Sequence, residues 1–397
     1  MVLKPHTWAL TAVLALLTAL GPLSTDLYLP SLPSLAAYFQ TDTAAAQSTL
    51  SAFLFGFALG QIFHGPLSDR WGRKPVLLAG LGLFLLASWA CAYAPSMQAL
   101  IIGRFVQAVG ASGPIVLARA IVRDLYEGAQ AGRELSRMGT VMGLVPAVAP
   151  MIGGYIEIHH GWQFAFSAML AFGLVMGVIV ITALPETLRQ PIREPLSLQT
   201  ILTGYRHLLA DPRYRFYISL SALSYSGLFA FISGSSFVLQ SSFQLDALQF
   251  GVAFSLVVIG FISGTLLAAR LVIAIGLDQT IAYGTQALAA GGGLMVLAFW
   301  IWPTSPYSIL VPMMLYTLGV GLVMPQSSAG AMSPFPERAG AASSMLGIIQ
   351  MVLAALSGLL LGHWLESGAW TLPVMVFVLG LAALLRCLLS QARARAS

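Results

Sequence analysis

The sequence predicts an all-α integral membrane protein of twelve transmembrane helices arranged as two six-helix bundles. Three observations predict it. The 397 residues are 58% hydrophobic and only 8% charged, against about 25% charged in soluble proteins. Apolar stretches near the roughly 20 residues that a bilayer core requires recur twelve times along the chain. Numbering the loops alternately then sorts the cations: of nineteen Lys and Arg residues, all but Arg104 fall on one side. A wrong number of spans would scatter them. Cationic loops stay cytoplasmic, so both termini are expected on the cytoplasmic side.

Each span has its own justification. Span 1 (7–29) follows Lys4; no small-residue cleavage site ends it, and Asp26-Leu-Tyr-Leu-Pro30 continues it, so it reads as a retained helix and not a signal peptide. Span 2 (44–64) carries Phe53, Phe57 and Gln61 on one helical face and leads into Arg70, Arg73 and Lys74. Span 3 (76–94) holds Cys91 near its outer end. Span 4 (98–118) returns inward with Arg104 inside it and ends at Arg119 and Arg123. Span 5 (136–157) follows Arg133 and Arg137 and contains Pro146 and Pro150, which bend a helix. Span 6 (162–184) opens at Gly161-Trp162. The longest polar break follows, with Arg189, Arg193, Arg206 and Arg213. Spans 7 (215–240), 8 (249–270), 9 (280–302), 10 (306–328), 11 (339–362) and 12 (369–389) complete the set, with Arg270, Arg338 and Arg386 at inner ends. The opposite loops, 30–43, 95–97, 158–161, 241–248, 303–305 and 363–368, contain neither Lys nor Arg. Cys387 lies near the inner end of span 12, remote from Cys91, so no disulfide is expected.

The polar break divides six spans from six: an N-terminal bundle 1–184, a cytoplasmic linker 185–213 and a C-terminal bundle 214–397. The halves echo each other. Val109-Gly110-Ala-Ser-Gly-Pro114 in span 4 matches Val320-Gly321-Leu-Val-Met-Pro325 in span 10, and Gly161-Trp162 matches Ala369-Trp370 at nearly the same offset. Such repetition predicts a duplicated transporter with its bundles related by an axis along the membrane normal. On this register Leu315 stands where span 4 has Arg104, and span 7 offers only Ser235 and Ser236 near the position of Asp26 in span 1. Ionisable chemistry is therefore expected in the N-terminal bundle alone.

The most specific string is Gly65-Pro-Leu-Ser-Asp69-Arg70-Trp-Gly72-Arg73-Lys74-Pro75, between spans 2 and 3. Its basic residues suit a topogenic loop, but Asp69 and the two glycines exceed that need. Gly65 and Gly72 permit a tight reversal. Asp69 can set its carboxylate at a helix N-terminus, contributing on the order of 0.3–1 kcal/mol. The string resembles the loop 2–3 motif of the major facilitator superfamily. That resemblance implies the superfamily's fold and a latch between bundles, formed in one access state and broken in the other. The second half keeps the spacing at Ala269 and Gly276 but has Ile273 for the Asp, so a second latch is degenerate or absent.

Asp26 and Arg104 are the two ionisable residues placed well within spans. By the helical rise, Asp26 sits in the outer half of span 1 and Arg104 about 9 Å below the outer boundary. A lone charge at mid-membrane costs at least about 2.5–3.5 kcal/mol, so both should face the protein interior with a partner. A buried carboxyl beside a guanidinium can load or release a proton as its neighbour or its access to water changes. Two blander readings stand beside this one: a solvated Asp26 at the outer end of span 1, and an Arg104 that caps carbonyls between helices.

Here the resemblance narrows. Ser24-Thr-Asp26-Leu-Tyr-Leu-Pro30-Ser-Leu-Pro33, Gly103-Arg104-Phe-Val-Gln107-Ala-Val-Gly110 and Ala118-Arg119-Ala-Ile-Val-Arg123-Asp124 are similar to the drug:proton antiporters, in particular the bicyclomycin-resistance (Bcr/CflA) branch. Ala149-Pro150-Met-Ile-Gly153-Gly154 resembles that group's span 5 motif, with Ala149 replacing a glycine; the likeness implies close packing of spans 5 and 8 through Pro146, Pro150, Gly153 and Gly154. Pro185-Glu186-Thr187-Leu188 also fits. The implied activity is proton-coupled export of amphipathic drugs or toxic small molecules; the alternative is a proton-linked or facilitative transporter of a nutrient or endogenous metabolite.

Phe53, Phe57, Gln61, Gln107, Tyr225 and Phe229 are the candidate substrate contacts, since a cavity of aromatics and amides suits apolar bodies with a few hydrogen-bonding groups. Each aromatic is equally at home in helix packing. The expected partners are that substrate, protons and the lipid bilayer, with the chain acting as a monomer. No nucleic-acid partner is expected, because the net charge of +5 lines membrane boundaries. No cofactor is expected either: the sequence has no Gly-x-x-x-x-Gly-Lys-Ser/Thr loop. His159-His160 lacks a carboxylate at metal-ligand spacing, and no catalytic triad can be assembled, so neither a metal site nor an enzyme is expected.

Overall fold

The computed structural model describes residues 7–126, 128–188, 198–335 and 339–396. Lys4, Arg189, Arg193 and Arg338 of the cation pattern lie outside the described residues. Among those described, twelve helices are long and apolar enough to cross a membrane: Trp8–Tyr38, Thr43–Trp71, Arg73–Ala92, Met97–Leu125, Gln130–His160, Trp162–Ala183, Pro212–Ser242, Ala247–Ile275, Leu277–Ile301, Tyr307–Met332, Gly340–Leu365 and Thr371–Ser390. These are spans 1 to 12, and the all-α architecture holds.

Several helices overrun their apolar stretches. Span 2 continues through Asp69 and Arg70 to Trp71, and span 4 through Arg119 and Arg123 to Leu125. Hydropathy marks where lipid ends, whereas helical hydrogen bonding can continue into water. Span 1 is interrupted instead: helix Trp8–Asp26 gives way to a 3₁₀ turn Leu29–Ser31 and a short helix Leu32–Tyr38. Pro30 and Pro33 supply no N–H, which is why the break falls just after Asp26.

The chain forms two compact units, Met1–Thr41 with Ala52–Leu196 and Asp42–Ser51 with Ser197–Ser397. Each unit is assembled on the same close contacts. In the first, Gly56 and Gly60 of span 2 lie against the carbonyls of Phe105 and Val109 in span 4, so closely that a side chain would collide with them. In the second, Gly260 and Gly264 of span 8 meet the carbonyls of Met314 and Leu318 in span 10 in the same way. The pair Gly80 and Gly110 between spans 3 and 4 is repeated by Gly284 and Gly319 between spans 9 and 10. These contacts correct the repeat register: Gly110 corresponds to Gly319, not to Gly321, two residues further along. Arg104 therefore corresponds to Met313 and Gln107 to Tyr316, both of which are fully buried.

The described end of the polar break is ordered into an additional helix, Leu198–Ala210. Leu208 is buried in a cluster with Tyr214, Ile218, Ala331, Ala342 and Leu346, flanked by Tyr205 and Leu209. The Tyr214 hydroxyl donates to the Ala342 carbonyl at 2.7 Å. This stretch, expected as linker, packs within the second unit. Its signal is amphipathic: Leu198, Ile201, Leu202, Tyr205, Leu208 and Leu209 recur at three- and four-residue spacing.

Candidate functional site

The first unit holds two separate polar groups, one buried near the break in span 1 and one at the junction of spans 2 and 3. Asp26 is the last residue of the first helix of span 1 and is 4% exposed. Its carboxylate accepts a hydrogen bond from the Thr25 hydroxyl at 3.1 Å. Gly153 of span 5 presses on the backbone of Leu27, where any side chain would strike the Leu27 carbonyl. Span 5 thus covers the chain immediately beside Asp26, and the burial follows from the absence of a side chain at Gly153. Gly154 and Pro150 are buried in the same stretch, and Pro146 is half-buried. The close approach that Gly153 makes is to span 1.

Tyr28, two residues beyond Asp26, turns its ring onto Arg104 of span 4. The guanidinium carbon lies 4.8 Å from the Tyr28 ring, 4.3 Å from Phe53 of span 2 and 5.7 Å from Phe166 of span 6. Its Nη1 donates to the Gln107 side-chain oxygen at 2.6 Å, and Gln107 donates in turn to Ser88 at 2.7 Å. Cation–π contacts contribute up to about 2 kcal/mol each when desolvated, and a hydrogen bond to a charged donor about 1.5–3 kcal/mol. Together they are enough to offset an insertion cost of about 2.5–3.5 kcal/mol. Arg104 is fully buried, yet its Nε and Nη2 find no acceptor among the described residues.

The expected pairing of Asp26 with Arg104 is not present: no ion pair joins them among the described residues. Tyr28, two residues beyond Asp26 in span 1, is the ring that reaches Arg104. Two candidate substrate contacts also take other places here. Phe53 is a wall of the Arg104 cage and stacks on Phe57, with centroids 6.0 Å apart; Gln107 has its amide engaged at both ends. Gln61 is half-buried. In the second unit, Tyr225 stacks on Phe229 at 6.5 Å, and Phe229 packs against Gly358 of span 11.

At the junction of spans 2 and 3, Gly72 adopts φ +100°, a conformation suited to glycine, and starts span 3. Arg73 then folds back as the centre of a network. Its guanidinium pairs with Asp69 one turn earlier and with Asp124 at the end of span 4, 2.9 Å away, and donates to Ser68 at 2.7 Å. Thr187 donates to the same Asp124 at 3.0 Å. Arg70 of the expected latch is exposed, and Gly65 is half-buried.

The carboxylate at the helix N-terminus belongs to Glu186, not to Asp69. Glu186 accepts from the backbone N–H groups of Arg73 at 2.9 Å and Lys74 at 3.0 Å, satisfying donors that the first turn of span 3 leaves open. Asp69 lies in the last turn of span 2, four residues before Arg73, where ion pairing to the side chain is the nearer option. Sequence reasoning missed Asp124 and Glu186 as site residues. It also missed a second inner-end pair: buried Glu134 of span 5 accepts from Thr11 of span 1 at 2.6 Å and pairs with Arg137, whose guanidinium lies 4.4 Å from the Trp8 ring.

Residues 14–358 match the family profile described as Major Facilitator Superfamily. The chain belongs to the major facilitator superfamily. Among its relatives, an uncharacterized MFS-type transporter YdgK of Bacillus subtilis is 31% identical over 89% of this chain and 88% of that protein. A bicyclomycin resistance protein homolog of Haemophilus influenzae is 30% identical over 95% and 94% respectively. The xylose transporter XylE from E. coli, solved in a partially occluded inward-open conformation, aligns with TM-score 0.73 and 17% identity over 95% of this chain and 96% of that one. That likeness carries the fold. The twelve spans and the transporter relatives make this superfamily member a multi-pass membrane transporter.

Proposed function

We propose that this protein exports amphipathic small molecules, drugs or toxic compounds, from the bacterial cytoplasm across the inner membrane in exchange for protons. Both termini are cytoplasmic, and the chain acts as a monomer of two bundles, 1–184 and 214–397, joined through 185–213. The single observation that carries the reading is Asp26: an acid buried at the break of span 1, two residues before Tyr28, whose ring covers an Arg104 guanidinium with Nε and Nη2 unaccepted among the described residues. The resistance protein from Haemophilus influenzae supports export of a drug-like substrate.

In this mechanism Asp26 carries the proton. Its helix ends at Asp26 itself, so a small change at Tyr28 or Gly153 alters both its contact with water and its separation from Arg104. A proton crossing ~100 mV releases about 2.3 kcal/mol, roughly a fiftyfold gradient for a neutral substrate. The Asp69–Arg73–Asp124 network holds the junction of spans 2 and 3 in one of two access states. Phe57, Gln61, Tyr225 and Phe229 are the side chains proposed to meet substrate.

Expression in a drug-sensitive bacterium, tested against a panel of amphipathic antibiotics, checks the substrate class; raised tolerance to at least one compound is expected, lost in Asp26→Asn. Inverted vesicles check the direction. Substrate accumulation driven by an acidic interior supports export, and accumulation only in right-side-out vesicles would establish uptake.

A further inference from the structure

We propose that the groove between the inner ends of spans 3 and 6 binds an anionic phospholipid of the surrounding bilayer. Arg70, Trp71, Lys74, Pro75, Leu78 and Leu188 line this open depression of about 530 Å³, with Gly72 and Glu186 at its base. None of its walls serves the network around Arg73 through a side chain except Glu186. That one acid is already engaged: its oxygens accept from the N–H groups of Arg73, Lys74, Thr187 and Leu188. The two cations at the rim, Arg70 and Lys74, have no carboxylate partner within ion-pair distance among the described residues.

The geometry matches a lipid more closely than a free anion. The Lys74 ammonium donates to the carbonyl of Ile181 at 2.8 Å, in the last turn of span 6, where carbonyls lack helical partners and a cation is favoured. This places the charge at the head of an exposed apolar stripe. Ile181, Val178 and Leu174 follow one another along span 6 at helical spacing, 59%, 52% and 52% exposed. Trp71, 63% exposed, stands beside the rim as an aromatic ring does at a membrane–water boundary. A phosphate diester between Arg70 and Lys74 would lead its acyl chain down the stripe. Basic pockets between helices at the membrane surface take acidic headgroups in this way. The matching junction of the second unit has no such rim, because Ala274 and Asp278 stand where Arg70 and Lys74 do.

Native mass spectrometry of the purified protein tests this with phosphatidylglycerol, phosphatidylcholine and inorganic phosphate as separate probes. The wild type is expected to retain phosphatidylglycerol about tenfold better than phosphatidylcholine, and millimolar phosphate should leave that retention unchanged. The double variant Arg70→Gln with Lys74→Gln should lose the preference. Arg70→Lys should keep it, which separates lost charge from lost folding, and Arg270→Gln in the matching junction should also keep it. Equal retention of both lipids by the wild type, a preference that survives in the double variant, or displacement of the lipid by phosphate would each overturn the proposal.

Discussion

Spans 3 and 9 begin alike and are then stabilised by opposite means. Gly72 and Gly276 both take positive φ, +100° and +82°, at the start of their helices. After Gly276 come Leu277 and Asp278. An acid in the first turn suits the positive end of the helix dipole, and Asp278 also accepts from the Tyr217 hydroxyl at 2.8 Å. After Gly72 come Arg73 and Lys74, two cations at the wrong end of a dipole. The first unit compensates from elsewhere in the chain: Glu186 caps the backbone, and Asp69 and Asp124 hold the Arg73 guanidinium. Where the first junction has Asp69, the second has Ile273, 87% exposed. A helix start needs only the simpler arrangement. The costlier one places a cation where two acids can take hold of it or release it.

Substitutions that erase the difference between the units should be ordered by how much chemistry each removes. The largest effect belongs to Arg104→Met, which gives span 4 the residue its counterpart Met313 supplies in span 10. Transport should fall by roughly a hundredfold, the scale on which a positioned proton-transfer partner acts. Thermal stability should hold or rise, since apolar replacement of a buried charge is often neutral or stabilising. A variant that loses stability and keeps transport would make Arg104 a structural residue alone.

Arg73→Ala comes next. It leaves Asp69 and Asp124 without their cation and should cost about 2–3 kcal/mol, below the figure for a fully buried pair because Asp69 is 39% exposed. Both cysteines are buried, so a thiol-reactive dye can follow unfolding directly. Glu186→Ala should cost about 1 kcal/mol by the same assay, as loss of a helix cap does. The smallest effect is expected for Ile273→Asp, within about 0.5 kcal/mol of the wild type, because the second junction offers that acid no arginine at the position of Arg73. A gain of stability there would mean that the second junction retains a working latch.

The twelve spans were legible because lipid demands long apolar runs and insertion sorts cations, and both leave marks in one dimension. Asp69 and Arg73 were legible as members of one motif, but the sequence reading set the Asp69 carboxylate at a helix N-terminus and not on the Arg73 guanidinium four residues away. Asp124 and Glu186 were not. They reach Arg73 across 51 and 113 residues of chain, and although both stand in strings that resemble the antiporter branch, nothing in one dimension tied either of them to Arg73. The repeat register slipped by two in span 10 because Val-Gly pairs are common in membrane helices; contacts such as Gly264 on Leu318 decide it. The cage around Arg104 was half legible. Burial in an apolar helix required compensation, but a carboxylate partner was the obvious candidate, and rings from spans 1, 2 and 6 converge on it instead.

The account depends most on Asp26, and proton flux in reconstituted vesicles tests it directly. With an imposed pH gradient and a pH-sensitive dye inside, adding a transported compound to wild-type vesicles should dissipate the gradient. Asp26→Asn vesicles should show no substrate-dependent proton movement, although the purified variant still binds the compound. Undiminished proton movement in Asp26→Asn would contradict the account and leave the buried acid of span 1 without the role assigned to it.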